Sequence, residues 1–217
     1  MNLIESAATA LPSQAMQKGI SVELPVTSNA VPMPDADQEN SLIVSITDEG
    51  SVYLGIDPIT PAALAERVED KLSRRSDKMV YIKADARTQY ATVAKVLRAL
   101  RTAGVDAPNL LTAQRDSSEA RNPVPPQGLE VLTHQSASGS QAAVVQVLNS
   151  EQGSPTLKIN NDLIPPTSLQ SMLQQFFQDR NERVVLVKAD GTLLFSEVVH
   201  VIDMCHPTGA KVVLATP

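Results

Sequence analysis

The sequence predicts an α/β (α+β) fold made of two tandem β-β-α-β-α-β modules, each a small mixed sheet with two helices. Three observations carry that expectation. The tripeptide Lys83-Ala84-Asp85 recurs as Lys188-Ala189-Asp190, 105 residues later. At the same offset, from Val52 to Gly104, there are 12 identities in 53 aligned positions without a gap. Apolar residues also switch from strand-like to helix-like spacing at matching places in both copies. A gap-free register across both kinds of segment marks a duplicated fold unit.

The elements follow in order. Residues 1–40 read as a linker, broken by one extended piece, Ile20-Ser21-Val22-Glu23-Leu24-Pro25. Its apolar–polar alternation and closing proline suit an edge strand, or a peptide waiting for a sheet. The first module, residues 41–112, opens with Leu42-Ile43-Val44-Ser45-Ile46 and returns through a Gly50 turn as Val52–Ile56. Thr60 stands where an N-cap belongs, before Pro61. Leu64, Val68 and Leu72 then form an apolar helical stripe. Met79–Ala84 reads as a central strand, apolar on both faces until Lys83. Thr88 is placed to cap a second helix with Val93, Val96, Leu97 and Leu100 inside, ended by a left-handed Gly104. Ala107–Thr112 closes the module.

Residues 113–127 form a polar, then proline-rich connector. The second module, residues 128–217, repeats the plan. Its hairpin is Ala143–Leu148 with Thr156–Asn160. Pro165-Pro166 opens a helix facing inward through Leu169, Met172, Leu173, Phe176 and Phe177. Val184–Ala189 is the central strand, Leu193–Cys205 the second helix, and Lys211–Ala215 the last strand.

Composition narrows the function. Each module is too small to be very stable alone, so docking of the two would help both. Tryptophan is absent and Tyr plus Phe total six, so Val, Leu, Ile and Ala build the cores. The net charge of −6 argues against nucleic acid, which calls for a basic face. Lys71, Arg74, Arg75 and Lys78 cluster, as cations do at a solvated helix C-terminus. No apolar run reaches the roughly 20 residues of a membrane helix. Residues 1–11 lack the basic start of a signal peptide, and Glu5 interrupts them. Cys205 is the single cysteine, and its helical spacing from Val198, Val201 and Ile202 fits a buried apolar role. His134, His200 and His206 lack metal-ligand spacing. No phosphate loop, serine elbow or carboxylate pair is present. No catalytic residue, metal or cofactor is expected.

The set Val80-Tyr81-Ile82-Lys83-Ala84-Asp85, then Tyr90, Val93, Val96 and Leu97, then Ala103-Gly104 and the apolar run to Thr112, resembles the periplasmic domain of ExbD and TolR proteins. So do Val52–Thr60 and the approach Gln17–Pro25. The resemblance covers about residues 16–112. It is looser over about 128–217, where Lys188, Ala189, Asp190, Phe195, Val198 and Gly209 persist and Leu129–Leu132 stands where the Leu-Pro segment would be. It implies a proton-motive-force-driven machine at the periplasmic face of the inner membrane. Its partners would be an ExbB- or TolQ-like membrane protein and a TonB- or TolA-like effector. Family members carry a membrane helix with an aspartate, and residues 1–15 look nothing like one. The reading favoured here is a product that extends upstream of Met1. The alternative is a free soluble adaptor or ligand-binding protein derived from that family.

The candidate site residues fall in two groups. Ile20, Val22, Leu24 and Pro25 are expected to bind a partner or an open sheet edge by strand addition. Lys83, Asp85, Tyr90, Lys188, Asp190 and Phe195 are expected to define the fold. Each Lys-Asp pair serves as an ion pair, or its Asp caps the following loop. The two modules are further expected to pair within one chain as a pseudo-symmetric dimer, or as a homodimer.

Overall fold

A computed structural model describes residues 19–75, 77–114, 125–133, 142–150 and 153–215. Ahead of the first module lie β1 (Val26–Thr27), β2 (Val31–Pro32) and a 3-10 turn (Pro34–Asp37). Then come β3 (Leu42–Ile46), β4 (Val52–Leu54), β5 (Asp57–Pro58), α1 (Pro61–Ser73), β6 (Val80–Ala84), α2 (Tyr90–Thr102) and β7 (Asn109–Gln114). After β8 (Gln127–Glu130) the order repeats as β9 (Ala143–Leu148), β10 (Thr156–Ile159), β11 (Asp162–Ile164), α3 (Leu169–Phe176), β12 (Val184–Ala189), α4 (Phe195–Cys205) and β13 (Lys211–Leu214).

The fold is mixed α/β with two mixed sheets. The first runs β2-β8-β7-β6-β3-β4-β5, with β1 also on β7, and the second β11-β10-β9-β12-β13. The five strands β5-β4-β3-β6-β7 therefore match the whole second sheet in order and sense. Both contain a short third strand after the hairpin, β5 or β11, that the sequence pattern did not announce. The turns between hairpin strands differ. Five residues separate the paired Ile46 and Val52, but nine separate Val147 and Leu157. That insertion explains why the gap-free repeat begins only at Val52.

Local chemistry fixes the helix ends. Thr60 Oγ1 accepts from the Ala63 N–H, with Pro61 at the first helical position. Thr88 does not cap α2: its side chain is buried, and its carbonyl accepts from the Phe195 N–H instead. Gly104 closes α2 at φ 78°, a left-handed position that favours glycine. In the second half Pro166–Ser168 forms a 3-10 turn, so α3 starts later than its prolines suggest. Leu169, Leu173 and Phe177 enter the core, whereas Met172 and Phe176 are half-buried. α4 starts at Phe195, where the Glu197 carboxylate accepts from the Leu194 N–H at 2.8 Å. Pro207 is taken up in a 3-10 turn beyond α4.

The two halves meet where α2 and α4 begin. Gln89 and Leu194 form an antiparallel bridge. Tyr90 N–H donates to the Leu193 carbonyl and Phe195 N–H to that of Thr88, both at 2.8 Å. Ala91 N–H donates to Gly191 and Ser196 N–H to Ala86, both at 3.0 Å. Exchanging each residue for its equivalent 105 positions away turns one bond of each pair into the other, the pattern of an isologous contact. Tyr90 and Phe195 are both fully buried beside it. One apolar core runs through both halves, from Leu42 to Leu214. β8 joins them further. Its residues pair antiparallel with β7, and Leu132 just beyond bridges Val213 of β13.

Candidate functional site

Each sheet has an inner face on the shared core and an outer face. On the first sheet the outer face carries Ile43, Ser45, Tyr81, Lys83 and Leu111. Residues 19–40, expected to be a linker, lie over that face as a strap. Leu24, Met33 and Ala36 pack on Ile43, Tyr81 and Leu111 in a small second core. The sequence alternation is visible in burial: Ile20, Val22 and Leu24 are half-buried, Ser21 and Glu23 exposed, and Pro25 buried. The chain comes closest at Gly19, where a Cβ would stand 2.9 Å from Ser45 Oγ, and φ is 91°.

The strap is held by a two-point clamp at Glu23. Its N–H donates to Asp85 Oδ2 at 3.0 Å, and its carbonyl accepts from the Ala86 N–H at 2.7 Å. Asp85 lies just past β6 and is only 3% exposed. Its Oδ1 accepts from the Arg87 N–H at 3.1 Å, closing the loop, and from Arg87 Nε at 2.9 Å. Hydrogen bonding to the Arg87 guanidinium, with help from the Glu23 and Arg87 amides, pulls the Asp85 carboxyl down to about 2. Arg87 also faces Asp48 at 3.6 Å and Glu23 at 3.8 Å. Lys83 is buried beneath the strap at 3% exposure, and burial lowers its pKa.

Farther along, Pro25 accepts from the Ala113 N–H, and β1 adds parallel to the end of β7. Thr27 and Thr112 share a 2.8 Å hydroxyl contact. The strap then crosses to the other half. Ser28 and Asn29 N–H groups donate to the two carboxylate oxygens of Asp203 in α4, at 3.0 and 2.8 Å. β2 pairs with β8, and Met33 N–H donates to the Pro126 carbonyl. Thus Leu129–Leu132, which sequence alignment sets beside the Leu-Pro segment, is placed differently. Gln127–Glu130 extends the first sheet, and Leu132 bridges Val213 of the second.

The second sheet repeats the loop, but among the described residues no segment is held by it as the strap is held by the first. Asp190 Oδ1 accepts from the Thr192 N–H at 2.9 Å and from Thr192 Oγ1 at 2.8 Å, which lowers the Asp190 pKa. Both Lys188 and Asp190 are exposed. Arg87, Asp203 and the clamp role of Glu23 carry no sequence signature. Asp203 and Glu23 act through backbone amides paired far along the chain, and Arg87 through its guanidinium on Asp85, Asp48 and Glu23, contacts that no local pattern encodes. Cys205 is buried, and burial pushes its thiol up to about 12. His200 is exposed and His206 half-buried, while His134 lies outside the described residues. Among the described residues no cluster of His, Cys, Asp or Glu is arranged to hold a metal. Lys71, Arg74 and Arg75 of the basic cluster line an open cleft of about 460 Å³; Asp70 pairs with Arg74, and Asp77 with Arg75. No helix of the described residues is long and apolar enough to cross a membrane.

Residues 8–115 match the family model of biopolymer transport protein ExbD/TolR, just under half of the 217-residue chain. The chain is also similar to the biopolymer transport protein ExbD of Pseudomonas aeruginosa. That likeness is 26% identity over 99 residues, which is 46% of this chain and 72% of that protein. The matched span takes in the strap and the five-strand core of the first sheet.

Proposed function

We propose that this protein is an ExbD/TolR-type component of a biopolymer transport system, acting in energy transduction. The observation that carries the reading is the family match over residues 8–115, since it joins the strap and the first sheet in one unit. The 26% identity to an ExbD protein supports the same assignment. Such a component works without chemistry of its own: it binds, and it passes on a change of shape.

In this reading the module sits at the periplasmic face of the inner membrane. An ExbB- or TolQ-like protein is its membrane partner, and proton-motive force drives the assembly. A TonB- or TolA-like effector receives the work. Residues 128–217 are a second, diverged ExbD/TolR-like module, paired with the first inside one chain. Ile20, Val22, Leu24 and Pro25 are the partner-responsive segment, docked on the sheet in one state and released in another. The clamp at Glu23 is suited to this, because two backbone hydrogen bonds hold any side chain and break together.

The test is photo-crosslinking in the native host, with the crosslinker at Ser21, which is exposed on the strap. The expected result is a crosslink to an ExbB/TolQ-type membrane protein, recovered with the inner membrane. Recovery in the soluble fraction alone, with no such crosslink, would overturn the assignment. Amide exchange adds a second readout: Glu23 and its clamp partner Ala86 exchange slowly in the isolated protein and faster when the partner engages.

A further inference from the structure

The clamp that holds the strap exists twice, and among the described residues the second copy grips nothing. In the first half Asp85 Oδ2 and the Ala86 N–H grip Glu23. Their equivalents, 105 residues on, are Asp190 Oδ2 and the Gly191 N–H. Among the described residues nothing bonds to either of these groups. Both are nevertheless set in the same backbone. Asp85 N–H donates to Ile46 and Asp190 N–H to Val147, residues paired in their hairpins with Val52 and Leu157. Ala86 and Gly191 carbonyls each accept from the opposite helix start.

The apolar bed beside the clamp is duplicated too. Ile43, Tyr81 and Asn109 form one row across the first sheet, and Val144, Leu186 and Val213 form the equivalent row across the second. The first row is sealed by the strap. In the second, Val144 and Leu186 are partly exposed and belong to neither buried core. Asn109 has become Val213, which Leu132 pairs with and which is only 2% exposed, so the accessible part of the second row is Val144 and Leu186.

We propose that the outer face of β9 and β12 binds an extended segment of a partner protein, gripped at one residue by Asp190 and Gly191. The occupied copy defines the chemistry of that segment. It is a strand-like peptide with apolar residues at alternate positions, as at Val22 and Leu24, so that one side meets Val144 and Leu186 while the other faces water. The residue in the clamp needs only its backbone. Arg87, which faces Glu23 in the first copy, is replaced by Thr192, so the second clamp does not call for an acidic residue there. This chain's own strap is already engaged on the first sheet, and among the described residues no second strap bonds to Asp190 or Gly191, so the occupant proposed is another protein. A chain with no transport role would carry the same face.

The probe is a synthetic peptide of residues 19–28 of this chain, added to the full-length protein and followed by amide exchange. The expected result is saturable binding that slows exchange at Val184–Lys188 and at Gly191 and leaves the Ala86 amide unchanged. Leu186→Lys, at a position outside the core, and Asp190→Ala should each weaken binding at least tenfold. Four results would overturn the proposal. One is no binding at millimolar peptide. Another is faster exchange at Ala86, which would mean that the peptide displaces the strap. A third is binding insensitive to Leu186→Lys. The last is concentration-dependent self-association abolished by Leu186→Lys, which would make the occupant a second copy.

Discussion

Tyr81 in β6 and Leu186 in β12 hold the same place in their sheets, yet Tyr81 is sealed under the strap and Leu186 is partly exposed. The contrast continues along the strands. Lys83 is 3% exposed and Lys188 lies open; Asp85 is buried in a web of four donors and Asp190 meets only Thr192. Inside, the two halves are alike: Val44, Ile82 and Leu110 match Val145, Val187 and Leu214, all at 0% exposure. The inner face is held to one pattern by the shared core, where a lost methylene group is felt at once. The outer face is freer to diverge, and it takes the character of whatever covers it.

The sharpest way to break this comparison is to lift the cover from the first sheet. A Cβ on Gly128 of β8 would stand 2.4 Å from the Leu110 carbonyl oxygen and 2.6 Å from the Met33 sulfur. The backbone atom cannot yield. Gly128→Ala should cost about 3 kcal/mol and speed exchange at Met33 and Leu111 while sparing β9–β11. Chemical denaturation and exchange mass spectrometry check both. A cost below that of an ordinary surface change would mean that β8 does not fasten the strap.

Next in size is the Asp85 clamp. Asp85→Ala leaves the Glu23 amide without its acceptor and should cost about 3 kcal/mol, against about 1 kcal/mol or less for Asp190→Ala. The two urea midpoints should differ accordingly. The effect has a pH signature. The folded-state pKa of about 2 lies below the unfolded value near 4, so the Asp85 contribution, about 2 kcal/mol, is full above pH 4. It fades as pH falls from about 4 toward 2. Asp85→Ala should therefore flatten the acid limb of the stability curve, and Asp190→Ala should change it little.

The smallest effect concerns the lysines. Burial lowers the Lys83 pKa, so its charged form weakens the fold at neutral pH and weakens it less as the pH rises through the folded value. Lys83→Met should raise stability at pH 7 by about 1 kcal/mol or leave it unchanged, with any gain shrinking at alkaline pH. Lys188→Met should stay within about 0.5 kcal/mol at every pH. A clear loss on Lys83→Met would assign Lys83 a structural bond worth more than its desolvation cost.

These differences also separate what the sequence makes legible from what it hides. Apolar spacing places β3, β4, β6, β7, β9, β10, β12, β13 and all four α-helices, because burial on one face imprints a period on the chain. Thr60 was readable as a cap, since its hydroxyl acts three residues away. Thr88 is no cap, because its carbonyl takes a contact from Phe195 that no local pattern encodes. β5 and β11 are two or three residues long, too short for a period. The strap was visible as an alternating peptide, but not its anchors. Asp85 and Asp203 hold backbone amides 62 and 175 residues away, and amides are the same in every sequence.

The strap's fastenings come in chain order: Glu23 at Asp85, Pro25 at Ala113, Ser28 and Asn29 at Asp203, and Met33 at Pro126. A pull on residue 19 therefore loads them one after another, like stitches in a seam. Full release would pay out about 45–50 Å of chain up to Met33, and partial release would stop at whichever stitch holds. A segment fastened this way would lengthen in steps under tension rather than all at once.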